Sequence, residues 1–180
     1  MRTPPAARGL TLIEIAIAVA IVAFTLTTAA PSFSAFLEIR RIDGVASQLA
    51  LDLRDAREAA IRRQGAVRFT VQQAPWGSCY VVHTGDASQC RCDPAGVPVC
   101  RDGAHALKAV PLAAGGRIAV QSNVASILFD PRHGTATPAA TLKVTGASGR
   151  AVHQVVNVMG RVRSCTSQVA APAVPGYRPC

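Results

Sequence analysis

The motif Gly160-Arg161-Val162-Arg163 places two guanidinium groups one residue apart near the C-terminal end of the chain. Side chains alternate between faces in an extended backbone, so Arg161 and Arg163 would point to one side, about 6.5–7 Å apart. That spacing is close to the phosphate step along a nucleic-acid strand, and guanidinium groups bind phosphate oxygens bidentately. Gly160 would allow a ligand backbone to approach closely. The motif therefore predicts phosphate binding.

Positive charge is concentrated in the second half of the chain. The 180 residues carry a formal net charge of +9. Residues 101–180 hold nine Lys and Arg against two Asp and Glu, whereas residues 1–100 hold ten against eight. No acidic residue follows Lys143, and by charge and proximity Lys143, Arg150 and Arg178 are further candidates for anion binding. From charge alone, a solvated basic face or a contact with another protein is favoured over nucleic acid.

One carboxylate interrupts an apolar N-terminal segment. Leu10–Ala30 contains a single ionisable side chain, Glu14, in a run long enough to cross a bilayer. A charge at that depth costs about 2.5–3.5 kcal/mol or more, which predicts a function for Glu14. A cleaved secretory signal is disfavoured because Pro31 follows the best cleavage site, and a plain membrane anchor leaves Glu14 unexplained.

The chain has six cysteines, an even number typical of a disulfide framework in an oxidising compartment. Cys79, Cys90, Cys92 and Cys100 lack the paired C-x-x-C spacing of zinc sites, so disulfides are favoured over a metal. Their connectivity is open, although a Cys90–Cys92 pair would be strained. Cys165 and Cys180 are expected to pair and close a C-terminal tail. No catalytic or cofactor-binding motif is recognised, and we expect neither enzymatic activity nor a cofactor or metal.

The elements that position these residues are one long helix followed by strands. Apolar residues continue after Pro31 at helical spacing as far as Ala60, and Gly65 is a plausible stop. Such a helix would be about 80 Å long. From Ala66, seven short β-branched runs predict antiparallel sheet. The runs are AVRFTV, SCYVVH, LKAVPL, RIAVQS, SILFD, ATLKVT and VHQVVNV. The predicted fold class is α+β, with the sheet packed on the helix and VHQVVNV as its last strand.

The N-terminal sequence RGLTLIEIAIAVAIVA resembles the processing motif of type IV prepilins and type II secretion pseudopilins. The resemblance implies cleavage after Gly9 by a prepilin peptidase and N-methylation of Leu10. It also implies that Glu14 pairs with the N-terminal amine of a neighbouring subunit during assembly. The family usually has Phe at the first mature position, where this chain has Leu10. The implied segments are a leader (1–9), a transmembrane helix (10–30), an amphipathic continuation (31–64) and a β-rich domain (66–180) whose tail is 165–180.

Three further segments, LRDAREAAIRRQGAVRFTV, ILFDPRHGTAT and VNVMGRVRSC, resemble the GspH/FimT branch of pilin-like proteins. The Gly160, Arg161 and Arg163 pattern before a disulfide-closed tail resembles FimT-type minor pilins that bind DNA in natural transformation. The resemblance implies a pilin-like fold, an inner-membrane protein with a cytoplasmic N terminus and a periplasmic domain, and partners that include other pilins and DNA. The alternative is a structural pseudopilin at the tip of a type II secretion pseudopilus.

Overall fold

The long helix α1 (Leu12–Arg63) passes through Pro31 and through Asp43-Gly44 without interruption, as predicted. The structure is a computed structural model that describes residues 11–167 and 172–180; Gly9, Leu10 and the leader 1–9 lie outside the described residues. Among those described, α1 is the one helix long and apolar enough to cross a membrane. The boundary between two compact units falls within it, between Leu37 and Glu38.

The two ends of α1 have distinct hydrogen-bonded caps. At the start, the Glu14 amide donates to Thr11 Oγ1 over 3.3 Å, half of a capping box. At the other end Gln64, with φ 51°, takes the left-handed conformation, and the Gly65 amide donates to Ala60 O over 3.2 Å. This is a Schellman motif, which ends the helix at Arg63, two residues before Gly65. Gln64 therefore occupies the position at which glycine is most common.

Eleven strands follow α1 within the described residues. They are β1 (Val67–Ala74), β2 (Gly77–His83), β3 (Cys90–Cys92), β4 (Pro98–Cys100), β5 (Ala106–Ala113), β6 (Ile118–Ser122), β7 (Ser126–Phe129), β8 (Ala136–Thr137), β9 (Ala140–Gly146), β10 (Ala151–Val156) and β11 (Val162–Thr166). They form a five-stranded sheet of order β5-β2-β1-β7-β8, a four-stranded sheet of order β11-β10-β9-β6, and the hairpin β3-β4. All the strand pairs are antiparallel.

The α+β class and all seven predicted runs are confirmed, but the end of the sheet was predicted wrongly. VHQVVNV is not the last strand, because β11 follows it and pairs with β10 along its whole length. The Arg-containing segment thus forms an edge strand rather than the start of a free tail. Strands β3, β4 and β8 were also missed, since each has only two or three residues and no resolvable alternation.

One face of α1 is buried against both larger sheets within residues 38–180. Its buried positions recur every three or four residues and are Ile42, Ala46, Leu49, Leu53, Ala56 and Ala60. These side chains meet Phe69 and Tyr80 from the five-stranded sheet and Leu142 and Val152 from the four-stranded sheet. The helical period of the apolar residues therefore determines which face of α1 packs against the strands.

Asp52 lies in the middle of this apolar interface and is 1% exposed. Its carboxylate accepts hydrogen bonds from Tyr80 Oη over 2.7 Å, Lys108 Nζ over 2.6 Å and Gln48 Nε2 over 2.8 Å. Burial, and then the hydrogen bond to Asp52, raise the pKa of Tyr80, so its hydroxyl remains a donor. Three donors compensate the desolvation of the charge and join α1 to β2 and β5.

We predict that Asp52→Asn lowers the free energy of unfolding by about 2–4 kcal/mol, because the amide cannot accept from all three donors and Lys108 loses its counter-ion. The predicted loss of stability is smaller than for a fully buried ion pair because the Lys108 side chain is 42% exposed. Asp55→Asn, an exposed carboxylate on the same helix, should change stability by less than about 0.5 kcal/mol. Urea denaturation of the full chain in detergent measures both, and equal losses would contradict the role of Asp52.

Candidate functional site

The outer face of the four-stranded sheet, the one turned away from α1, brings Lys143 and Arg163 together. Lys143 on β9 is opposite His153 on β10, which is opposite Cys165 on β11. Arg163 is opposite Val155, two residues from His153 and therefore on the same face. From strand spacing and rise, the Cα atoms of Lys143 and Arg163 lie about 12 Å apart. We call this surface, with Lys143, His153 and Arg163, the basic face.

Arg161 lies outside the strand, in the β10–β11 turn. Asn157 closes this turn: its amide donates to Arg161 O over 3.1 Å, and its Oδ1 accepts from the Arg161 amide over 2.9 Å. The Gly160 amide also donates to Asn157 O over 2.8 Å. The backbone on which Arg161 is mounted is therefore fixed, while the Arg161 side chain is exposed.

A cavity of about 290 Å³ separates the Arg161 turn from α1. Its basic lining comes from Arg54 and Arg57 as well as Arg161, and Glu58 is its acidic member. Glu58 Oε2 lies 3.3 Å from Arg62 Nη1, and Arg57 Nε donates to Gly134 O over 2.8 Å. Arg54 and Arg57 were not predicted as site residues, although their three-residue spacing on a helix was a usable signal.

Gly160 is required by packing within the chain. Its φ is +71°, and a Cβ atom would lie 2.3 Å from Gly134 O and 2.8 Å from Arg57 Nε. The contact with the Gly134 carbonyl oxygen is not possible for a larger residue without moving the backbone. This explains the glycine without any ligand, and the close approach of a ligand backbone stays a prediction.

Arg150 and Arg178 lie towards the other end of the sheet. The Gly146 amide donates to Arg150 O in the β9–β10 turn, and β10 then extends six residues, about 20 Å, before the Arg161 turn. Arg178 O accepts from the Thr166 amide over 2.9 Å, near that same end of β11. The predicted residues thus do not form one cluster: Lys143 and Arg163 share a face, Arg161 lies at one end of it, and Arg150 and Arg178 lie towards the other.

The C-terminal tail is fastened to the edge of β11. A disulfide joins Cys165 to Cys180, and the Cys180 amide donates to Thr166 O over 3.1 Å. Tyr177 Oη donates to Asp43 Oδ1 over 2.6 Å; burial, and then this bond, raise the pKa of Tyr177 to about 12. Masking of the β11 edge by the tail limits its pairing with other strands.

Of the other two disulfides, one attaches the β3-β4 hairpin to the outer face of the five-stranded sheet and the other joins the two strands of the hairpin. The pairs are Cys79–Cys92 and Cys90–Cys100, a connectivity that the sequence left open. Gln72 of β1 bonds to Cys90 O and to the Cys92 amide. No group of residues suited to bind a metal occurs among the described residues.

A long N-terminal helix followed by antiparallel sheets is the architecture of pilin-like proteins, and two solved structures have this fold. Two crystal forms of the type IV minor pilin FimU of Pseudomonas aeruginosa match with TM-scores of 0.55 and 0.52. Sequence identities are 16% and 15%; the matches cover 74% and 71% of this chain, and 97% and 98% of FimU. No curated protein sequence matches the chain.

The family model described as type II transport protein GspH matches residues 45–160, and the chain belongs to this family. Its members are structural components, so the prediction that the chain is not an enzyme is confirmed, as is the assignment to type IV minor pilins and pseudopilins. The apolar helix and the family fit a membrane-anchored protein associated with a pilus or pseudopilus. Arg161, Arg163 and the Cys165–Cys180 pair lie beyond the matched residues, and the comparisons do not distinguish a FimT-type pilin.

Gly160→Ala should lower the free energy of unfolding by about 2 kcal/mol or more, because it adds a Cβ in a left-handed conformation against a carbonyl oxygen. The matched control is Gly115→Ala, where nothing lies within 4 Å and φ is not positive. Thermal melting of the full chain in detergent, followed by circular dichroism, compares the two variants. A Gly160→Ala variant as stable as its control would mean that packing does not require this glycine.

Proposed function

We propose that the chain is a minor type IV pilin that binds DNA through phosphate contacts and without sequence preference, acting in DNA uptake during natural transformation. The observation that carries the proposal is the basic face: Lys143 and Arg163 share a sheet surface, and the exposed Arg161 is mounted at its end. A rigid sheet holds these charges at fixed separations, which favours binding to the regularly spaced phosphates of a duplex.

The electrostatic surroundings support this proposal. Strands β6, β9, β10 and β11 contain no Asp or Glu, so no carboxylate in these strands neutralises the basic face. Guanidinium groups form bidentate bonds with phosphate, and Lys143 contributes a point charge. Arg150 and Arg178 would extend the contact towards the other end of the sheet, and Arg54 would contribute beside Arg161. Contacts of this kind position a duplex without reading its bases.

The N-terminal segment supports assembly into a fibre. In our proposal a prepilin peptidase cleaves between Gly9 and Leu10, Leu10 is N-methylated, and α1 anchors the protein in the inner membrane. Its N terminus would face the cytoplasm and the β-rich domain the periplasm, with later incorporation into a surface pilus. Glu14 would then pair with the N-terminal amine of an adjacent pilin, because a carboxylate in lipid is stabilised by a cation.

A second candidate function is favoured by the family description, which refers to type II transport. In that case the chain would be a structural pseudopilin near the tip of a secretion pseudopilus. The basic face would then contact other pseudopilins or remain solvated. The two functions differ in whether isolated protein binds DNA, which gives a direct test.

We predict that the full chain in uncharged detergent micelles binds unrelated duplexes with Kd on the order of 10⁻⁴–10⁻⁶ M at physiological salt. The slope of log K against log[salt] should be about −2 to −4. Changing both Arg161 and Arg163 to Gln should flatten that slope by about 2 and weaken every duplex similarly, since phosphate contacts are lost. Fluorescence anisotropy of labelled DNA measures both quantities.

The matched control changes two exposed arginines, Arg91 and Arg101, to Gln. These residues lie on and just after the disulfide-bonded hairpin, away from the basic face, so the control removes the same charge and should keep the slope. A folded, oxidised protein that shows no salt-sensitive binding at about 100 μM would overturn the DNA proposal and favour the pseudopilin. Equal effects of the two double variants would show that DNA binding depends on the net charge of the protein and not on the basic face.

Assembly is tested at Glu14. Glu14→Gln removes the charge but keeps a residue that completes a capping box with Thr11, so α1 should still begin normally. We expect the variant to be processed and inserted in the membrane but to be severalfold depleted in sheared pili. Immunoblotting of membrane and sheared fractions measures this, with Thr11→Ala as the control that weakens only the cap. Wild-type amounts of Glu14→Gln in pili would contradict the assembly role.

A further inference from the structure

A cleft of about 390 Å³ continues the basic face past the β6 edge of the four-stranded sheet. Its floor is formed by side chains of β6 and β9, and the β1–β2 turn forms its other wall. Its polar lining comes from Gln73, Ser78, Arg117, Gln121, Lys143 and Thr145. Ser78 Oγ accepts from the Val120 amide over 3.0 Å, and Gln73 Nε2 donates to Val120 O, so the wall is fixed to β6. No Asp or Glu lines the cleft.

Arg117 has a backbone conformation that favours glycine. It has φ 58° and ψ 16°, the left-handed region, and its amide donates to Ala114 O over 3.2 Å. Two glycines precede it, yet neither has a positive φ. A β-carbon in this region is unfavourable; strained residues of this kind are found at functional sites and also, like Gln64, as helix caps, and Arg117 caps the short 3-10 helix Ala114–Gly116. Arg117 lines the cleft together with Lys143, which is opposite Gln121, four residues further along β6.

Polar atoms without partners lie along the same part of the sheet. Thr145 Oγ1, Arg150 Nε and His153 Nε2 are buried and have no hydrogen-bond partner among the described residues. Buried polar atoms are normally paired. The Glu38 carboxylate accepts a hydrogen bond from the Ser148 amide over 2.7 Å. Of these three residues only Thr145 lines the cleft, and a phosphate would supply an acceptor oxygen for its hydroxyl.

We infer that this cleft is a phosphate-binding subsite, with Arg117 and Lys143 as its charged arms and the Thr145 hydroxyl, after rotation of its side chain, as a neutral donor. It would hold one phosphate group of a DNA strand whose neighbouring phosphates lie on the basic face. The extension to DNA rests on the proposed function; the affinity for phosphate does not. Arg117 was not among the residues predicted from the sequence.

The test uses the full chain in uncharged micelles and inorganic phosphate at constant ionic strength. Trp76, the only tryptophan, lies between the cleft residues Pro75 and Gly77 and packs against the cysteine cluster, so its fluorescence gives one indirect measurement of binding. Calorimetry gives a second measurement that does not depend on fluorescence. We expect saturable binding that Arg117→Gln and Lys143→Gln each weaken about tenfold or more. The control variant is Arg63→Gln, which removes one positive charge at the C-terminal end of α1. Arg63 lies about 30 Å along the helix from Ile42, so this variant should leave phosphate binding unchanged.

Arg117→Gly separates ligand binding from structure. It removes the charge and relieves the left-handed strain, so it should raise the melting temperature while weakening phosphate binding as much as Arg117→Gln does. In the DNA assay, Arg117→Gln should flatten the salt slope by about 1. Absence of phosphate binding by both measurements, or binding that the Arg117 and Lys143 variants leave unchanged, would overturn the subsite. Phosphate binding without DNA binding would keep the subsite but reject the proposed function.

Discussion

The packing of α1 against both sheets, with the Asp52 carboxylate at its centre, is the constraint on which the rest of the structure depends. An apolar stripe alone would allow the helix to slide, whereas the bonds from Tyr80 and Lys108 to Asp52 fix its position against β2 and β5. Because one face of each sheet is thereby buried, the alternation along every strand is fixed as well. The side chains that remain outside are those available to contact other molecules.

The outer faces of the two larger sheets differ in what covers them. The disulfide-bonded β3-β4 hairpin, with Trp76 packed against its cysteine cluster, covers part of the five-stranded sheet. The four-stranded sheet presents the basic face instead, and the charge of Lys143 adds to the effect of burial in lowering the pKa of His153, which keeps that imidazole neutral at pH 7. The Cys165–Cys180 tail masks the β11 edge of this sheet, which limits strand addition at that edge. Lys143 and Arg163 therefore lie on a sheet surface whose strands carry no acidic residue.

The sequence was sufficient to predict those elements that a single residue period or a single motif determines. Apolar spacing predicted the buried Leu49 and Leu53 of α1, and β-branched runs predicted seven strands.

The sequence was insufficient where a structural feature depends on contacts between residues that are distant in sequence. Gly160 is required because a side chain there would meet the carbonyl oxygen of Gly134, which is 26 residues away in sequence. The pairing of the cysteines depends on how the β3-β4 hairpin folds back onto β2. Arg161 and Arg163 were predicted as an adjacent pair, whereas the turn closed by Asn157 and the strand β11 place them in different settings.

The central claim, that DNA contacts the basic face, is tested most directly by hydrogen–deuterium exchange of the full chain in micelles, with and without saturating duplex DNA. The account predicts slower exchange in β9, β10, the Arg161 turn and β11, with no change in the β3-β4 hairpin or β5. Protection confined to the hairpin and β5, or no protection anywhere while anisotropy reports saturation, would contradict it.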